Sequence, residues 1–178
     1  MTRVKTNRLV RESELDSLSP EFQVQIREVQ ALMKKEAANN KGTWKDMPDG
    51  EPDEWLPKIV AEHKGRIVFV DFWATWCGPC LKGMKEMESV KDSLKEKGVD
   101  FVYITDTSSD TNEWTKYVAQ HEGTHYIVSK YDINDMQIPD YENAIPHYLI
   151  YDREGKFVKA ISGWPGVEKM MQKLSEMK

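Results

Sequence analysis

Two things are scarce in this 178-residue chain: cysteine, of which there are 2, and long apolar runs. Two cysteines three positions apart cannot make a dispersed framework of cross-links, which excludes a small scaffold held together by disulfides. No stretch approaches the roughly 18–20 consecutive apolar residues that cross a bilayer, and Met1-Thr2-Arg3-Val4-Lys5 lacks the apolar core of a secretory signal. The chain is therefore expected not to span a membrane, and to be either a mature or trimmed form of an exported protein or a cytoplasmic one. Neither sign of charge dominates, because 25 basic and 30 acidic residues are interspersed to a net −5. Without a basic face, nucleic acid is not an expected partner. The cluster Lys91 to Lys97 reads as a solvated helix surface.

What is present, at 39% hydrophobic residues, is enough to bury a core in one domain with additional material. Residues 1–18 read as a charged arm. Ser19-Pro20-Glu21 is a helix start, with a side-chain cap and a proline at the first helical position, and Phe22, Ile26, Val29 and Met33 follow at helical spacing up to about Asn39-Gly42. Residues 43–54, rich in Pro and Gly, read as a connection. The expected division is thus 1–54 for arm, helix and connection, and 55–178 for the main domain.

Within that domain a short helix from Trp55 to His63 is expected, with Pro57 tolerable only in its opening turn. Ile67-Val68-Phe69-Val70-Asp71-Phe72-Trp73 is a nearly continuous apolar run, the pattern of a central strand covered on both faces. Leu81, Met84, Met87, Val90 and Leu94 mark a helix, and Val99–Thr105 a second strand. The two strands, joined by a crossover helix, should be parallel. A helix carrying Trp114, Tyr117 and Val118 follows the polar stretch 106–112. Two further strands, His147–Tyr151 and Phe157–Ile161, flank the turn Asp152-Arg153-Glu154-Gly155 as a hairpin, and a helix with Val167, Met170, Met171 and Leu174 closes the chain.

The cysteines sit at the junction of the first strand and its helix, in Trp76-Cys77-Gly78-Pro79-Cys80. A Cys-x-x-Cys pair can be a redox centre, half of a zinc site, or two inert thiols. Structural zinc takes four ligands, and no second Cys pair accompanies this one. His121 and His125 are four apart, but Gly123 weakens the helix that would align them, so no metal is expected. At a helix start the Cys77 sulfur meets unpaired backbone N–H groups and the positive dipole end, a setting in which thiol pKa values fall to roughly 3.5–7.5 from about 8.5. Cys77 is then expected to attack a partner disulfide and Cys80 to resolve the mixed disulfide, with no cofactor beyond this pair. Pro79 suits the first helical turn, and Gly78 leaves room for a close backbone approach. Asp71 interrupts an apolar strand, where an unpaired carboxyl group raises its pKa and suits proton transfer to and from Cys80.

Val70-Asp71-Phe72-Trp73-Ala74-Thr75-Trp76-Cys77-Gly78-Pro79-Cys80 resembles the active-site strand and turn of thioredoxins, and the longer chain with Ile145-Pro146-His147-Tyr148-Leu149-Ile150-Tyr151 resembles the TlpA/ResA-like branch. The resemblance covers roughly Trp55 to Met177. It implies an α/β thioredoxin-like fold, a central mixed β-sheet flanked by helices, here with an N-terminal helical extension. It also implies a cis peptide at Ile145-Pro146 beside the dithiol, whose neighbouring backbone pairs with an extended partner segment. Trp76 matches the aromatic before the nucleophile, and Asp71 the buried acid. On this likeness the chain reduces protein disulfides outside the cytoplasm, in the periplasm or an equivalent compartment, drawing electrons from a membrane thiol-disulfide donor. A binding module or chaperone of the same fold, with little redox turnover, is the alternative.

His147, next to Pro146, should face away from the dithiol by strand alternation and so be structural. Two positions depart from the pattern. Lys85 stands where relatives commonly place a kinking proline, so the helix is expected to be straighter or to bend at Gly83. No lysine after Val99–Thr105 matches the one thioredoxins place near the acid, so Asp71 is expected to titrate differently.

Overall fold

The strand Ile67–Phe72 is buried at every residue, because it runs between two neighbours in the middle of a six-stranded sheet. The computed structural model describes residues 39–176 together with Pro20 and Val24. The expected arm and N-terminal helix otherwise lie outside the described residues.

In chain order the elements are β1 (Thr43–Trp44), α1 (Pro52–Ala61), β2 (Ile67–Phe72), α2 (Gly78–Glu88), α3 (Lys91–Glu96), β3 (Val99–Asp106), α4 (Thr111–Gln120), β4 (Thr124–Val128), a 3-10 turn (Ile133–Met136), β5 (His147–Tyr151), β6 (Phe157–Ser162) and α5 (Val167–Ser175). The sheet order is β1-β4-β3-β2-β5-β6. β1 to β4 and β4 to β3 to β2 are parallel, whereas β5 and β6 are antiparallel additions. The β2-α2-α3-β3 crossover and the β5–β6 hairpin follow the sequence pattern. The hairpin turn is held by Asp152 Oδ1, which accepts from Glu154 N (3.0 Å) and Lys156 N (2.8 Å), with Gly155 at φ +79°.

Four local expectations change. Residues 43–54 are not wholly a connection, since Thr43 and Trp44 form the sheet edge against Thr124 and His125. β4 itself was not anticipated. α1 starts at Pro52 rather than Trp55, where Glu54 Oε2 accepts from Glu51 N at 3.3 Å, so Pro57 lies inside the helix instead of its opening turn. The single helix expected through Leu94 is two, interrupted at Ser89-Val90, where Ser89 Oγ bonds back to Glu86 O at 2.8 Å and Val90 N reaches Met87 O.

The sheet separates two apolar layers. One face carries Phe69, Trp73, Phe101, Tyr148 and Ile150 against Met84, Met87, Leu94, Met170 and Leu174 of the helices. The other carries Val68, Val70, Phe72, Val102 and Leu149 against Leu56, Ile59 and Val60 of α1 and Met136 of the 3-10 turn. Alternation along β2 places Asp71 on the first face, with Phe69 and Trp73. Both cysteines belong to that same layer.

Candidate dithiol site

β2 ends and α2 begins within five residues, and Cys77 is the N-cap of the helix. Its backbone is extended (φ −86°, ψ 96°), its Sγ accepts from Cys80 N at 3.3 Å, and its carbonyl receives Leu81 N. Cys77 and Cys80 are joined as a disulfide, with Cα atoms 5.3 Å apart. They differ in access: Cys80 is fully buried, while Cys77 keeps 4% of its surface at the edge of exposed Gly78, Pro79 and Trp76. A Cβ added to Gly78 would meet nothing within 4 Å, so the fold leaves this position open.

The loop after β3 clamps the turn from the side. Ser109 Oγ accepts from Thr75 N at 3.0 Å and pairs with Thr105 Oγ1 at 2.7 Å, while Thr75 Oγ1 accepts from Asp110 N at 2.9 Å. Trp76, 63% exposed, donates Nε1–H to Ser108 Oγ at 3.0 Å, which ties its indole to the loop after β3. The sequence reading missed Ser108 and Ser109; a polar run between strand and helix gives no sign of which hydroxyl will meet a distant turn. The peptide Ile145-Pro146 is cis, Pro146 is buried, and Ile145 packs partly into both apolar layers.

Asp71 is 2% exposed, and among the described residues its Oδ1 has no hydrogen-bond partner. Its direct neighbours across the ladders are Tyr103 on β3 and Tyr148 on β5. Burial pushes the carboxyl group well above its usual range, and the ammonium of Lys91 pulls partly against that. Lys91 corrects one expectation: it is 3% exposed rather than part of a solvated surface, and from the start of α3, ahead of β3, its charge acts on Asp71. Its Nζ donates to Tyr103 Oη at 2.8 Å.

Gly83 lies under Tyr148: a Cβ there would come within 2.8 Å of Tyr148 Oη and 3.0 Å of the Trp164 ring. The histidines go elsewhere. His147 faces the α1 layer beside Phe72 and Tyr141, with Nε2 on Pro139 O at 2.9 Å and Nδ1 on Ser162 Oγ at 3.2 Å. His125 Nε2 donates to His121 O at 2.7 Å, while His121 Nδ1 contacts Glu88 at 3.1 Å, so the two rings do not converge. Among the described residues no group of three or more His, Cys, Asp and Glu is arranged to hold a metal, and no helix is long and apolar enough to cross a membrane.

The family model for thioredoxin-like proteins matches residues 65–157, just over half of the chain. The thiol-disulfide oxidoreductase ResA of Bacillus thuringiensis (strain Al Hakam) is 33% identical over 105 residues, which are 58% of this chain and 59% of that protein. ResA of B. thuringiensis subsp. konkukian is 30% identical over 126 residues, 66% of this chain and 67% of its own length. The chain thus matches about three fifths to two thirds of these relatives. Among solved structures, a thiol:disulfide interchange protein of the thioredoxin family from Chlorobium tepidum superposes with a TM-score of 0.55 at 20% identity, over 66% of this chain and 83% of that one. The exposed lipoprotein thioredoxin Etrx1 of Streptococcus pneumoniae gives 0.53 at 20%, over 66% and 90%. With the mixed sheet, the buried cysteine pair at a helix start and the sequence matches in agreement, the chain belongs to the thioredoxin-like family.

Proposed function

We propose that this chain is a thiol-disulfide oxidoreductase that reduces protein disulfides through Cys77 and Cys80. The observation that carries the reading is a pair of cysteines joined at one helix start, Cys77 as its N-cap and Cys80 in its first turn, on the sheet face that holds Asp71. The likeness to proteins named ResA supports the same reaction class.

In the reduced protein the Cys77 thiolate attacks one sulfur of a partner disulfide. A Cys77–partner bond forms, the partner S–S bond breaks, and the departing sulfur leaves as a thiolate that takes up a proton. Cys80 passes its proton to the Asp71 carboxylate and attacks Cys77 Sγ. That closes the Cys77–Cys80 disulfide and breaks the mixed one, and the Asp71 proton goes to the second departing sulfur. Two electrons pass to the partner, so a donor dithiol must reduce the pair before the next cycle.

The substrate surface in this reading is Trp76, Gly78, Pro79, Ile145 and Pro146, with an extended partner segment lying along the backbone beside Pro146. The donor is a membrane thiol-disulfide protein, and the compartment is periplasmic or otherwise extracytoplasmic. The domain, drawn from sequence as 55–178, extends in this reading back to Lys41, since β1 is part of the sheet. Insulin reduction with dithiothreitol decides the class: wild type should precipitate insulin B chain at least tenfold faster than Cys77→Ser. Equal slow rates would leave a binding module. Equilibration with thiol buffers tests the direction, a potential of about −270 mV marking a reductant and one of about −120 mV an oxidant.

A further inference from the structure

We infer that His147 is a positioning residue of the partner groove: its imidazole latches the loop 137–145 to the sheet and so fixes the Ile145-Pro146 backbone along which a partner segment lies. This inference rests on the exchange reading above.

The loop is one that needs holding. It leaves the 3-10 turn after Met136 and enters β5 at His147. Among the described residues, the non-glycine positions with positive φ all fall in it: Gln137 (φ 51°), Asp140 (54°) and Asn143 (56°). Left-handed backbone is unfavourable for side chains other than glycine, for Gln more than for Asn or Asp, and persists only where surrounding contacts impose it. The three corners are exposed and the residues between them turn inward. Ile138 is buried, and Tyr141 and Ile145 pack partly against the apolar layer on the α1 side.

His147, the first residue after Pro146, ties this path to the sheet, and its side chain is fully buried. Nε2 lies 2.9 Å from Pro139 O in the middle of the loop; a carbonyl only accepts, so Nε2 carries the proton. Nδ1 then accepts from Ser162 Oγ at 3.2 Å, on the β6 residue directly opposite in the ladder. One neutral tautomer satisfies both bonds. On the other side of β5 the ladder neighbour is Phe72, the last residue of β2 before the dithiol turn. Tyr141 of the loop packs on both rings, its centroid 5.4 Å from that of His147 and 6.2 Å from that of Phe72. Pro146 O in turn accepts from Gly163 N at 2.8 Å. Pro146 is thus held on the β6 side by its own carbonyl and on the loop side through His147.

A ring needed only for packing would have no use for two nitrogens, and here one is engaged by the loop and the other by β6. A buried donor aimed at a loop carbonyl restricts where the loop can lie, because leaving either group unpaired is costly. Without the latch the loop takes other paths, and apparent affinity for a partner falls with the fraction left in the competent one. The sulfurs belong to the opposite layer of the sheet, so the loss falls on binding and spares the chemical step.

Steady-state insulin reduction by wild type, His147→Asn and His147→Gln tests this. Asn keeps a polar group near the Nδ1 position and cannot reach Pro139 O, whereas Gln keeps a donor near the Nε2 position. His147→Asn should raise KM about fivefold, the scale of one lost hydrogen bond, with kcat within about twofold of wild type. His147→Gln should bring KM back to within about twofold. An unchanged KM in His147→Asn overturns the inference, and so does an equal rise in both variants, which would mark the position as packing alone. Should His147→Asn not fold, Tyr141→Leu takes the loop's ring off the imidazole and should raise KM in the same way; an unchanged KM there overturns the inference equally. Equal slow insulin reduction by wild type and Cys77→Ser would remove the exchange reading and the latch with it. An unchanged KM with Cys77-dependent reduction intact removes only the latch.

Discussion

Asp71 stands directly opposite Tyr148 in the β2–β5 ladder, and among the described residues neither Asp71 Oδ1 nor Tyr148 Oη has a hydrogen-bond partner. Two unsatisfied polar atoms in the core cost stability, and unfavourable positions of this kind persist where chemistry needs them.

That cost depends on pH. The folded-state pKa of Asp71 lies well above its ordinary 3.8, so the protonated form is the one the fold accepts. Its stabilising contribution is complete below the unfolded value and is lost as pH rises towards the folded one. In that interval the wild type should lose about 1.4 kcal/mol per pH unit relative to Asp71→Asn. Denaturant melts of both oxidised proteins from pH 4 upward check this. Parallel stability curves would mean that the carboxyl group is not held protonated. Asp71→Asn should also slow resolution of the mixed disulfide by about tenfold or more at neutral pH, the lower end of what a positioned acid or base supplies.

His125 has the opposite sign. Burial lowers its pKa from 6.5 to about 4, so it stabilises the fold when neutral, and that contribution is lost as pH falls through this window. Relative to His125→Gln, the wild type should lose about 3 kcal/mol between pH 6.5 and 4. Urea melts across the interval measure it.

Two glycines of α2 should respond differently to alanine. Gly83→Ala drives a methyl group into Tyr148 Oη and Trp164, and should destabilise by about 1–3 kcal/mol. Adding Tyr148→Phe should recover part of the loss, and the double-mutant cycle gives the coupling. Gly78→Ala meets nothing in the fold and should change stability by about 0.5 kcal/mol or less. On our reading of the substrate surface it should nevertheless raise KM for insulin several-fold while sparing a small disulfide.

The Trp76 side chain is held by a hydrogen bond to Ser108 and is largely exposed. Trp76→Ala should leave the melting temperature nearly unchanged and raise KM for protein disulfides. Ser108→Ala, which frees the indole, should do the same to a smaller extent. Steady-state insulin reduction separates KM from kcat in both.

What could be read beforehand is uneven for physical reasons. β2, the dithiol turn and the β5–β6 hairpin announce themselves locally, by apolar runs and turn residues. β1 and β4 do not, because two residues at an edge and Thr-His-Tyr-Ile-Val become strands only through parallel pairing with distant segments. Asp71 was legible as a charge in an apolar run. Lys91 was not, because it sits among partly exposed Lys and Glu and its burial rests on Tyr103, Phe101 and Glu88 from other elements.

The central claim, that Cys77 attacks and Cys80 resolves, is tested most directly by trapping. Reduced Cys80→Ser, mixed with a disulfide-bearing protein, should accumulate a covalent adduct at Cys77 that dithiothreitol releases. Cys77→Ser should accumulate at least tenfold less. Equal adduct formation by the two variants, or more by Cys77→Ser, would contradict it.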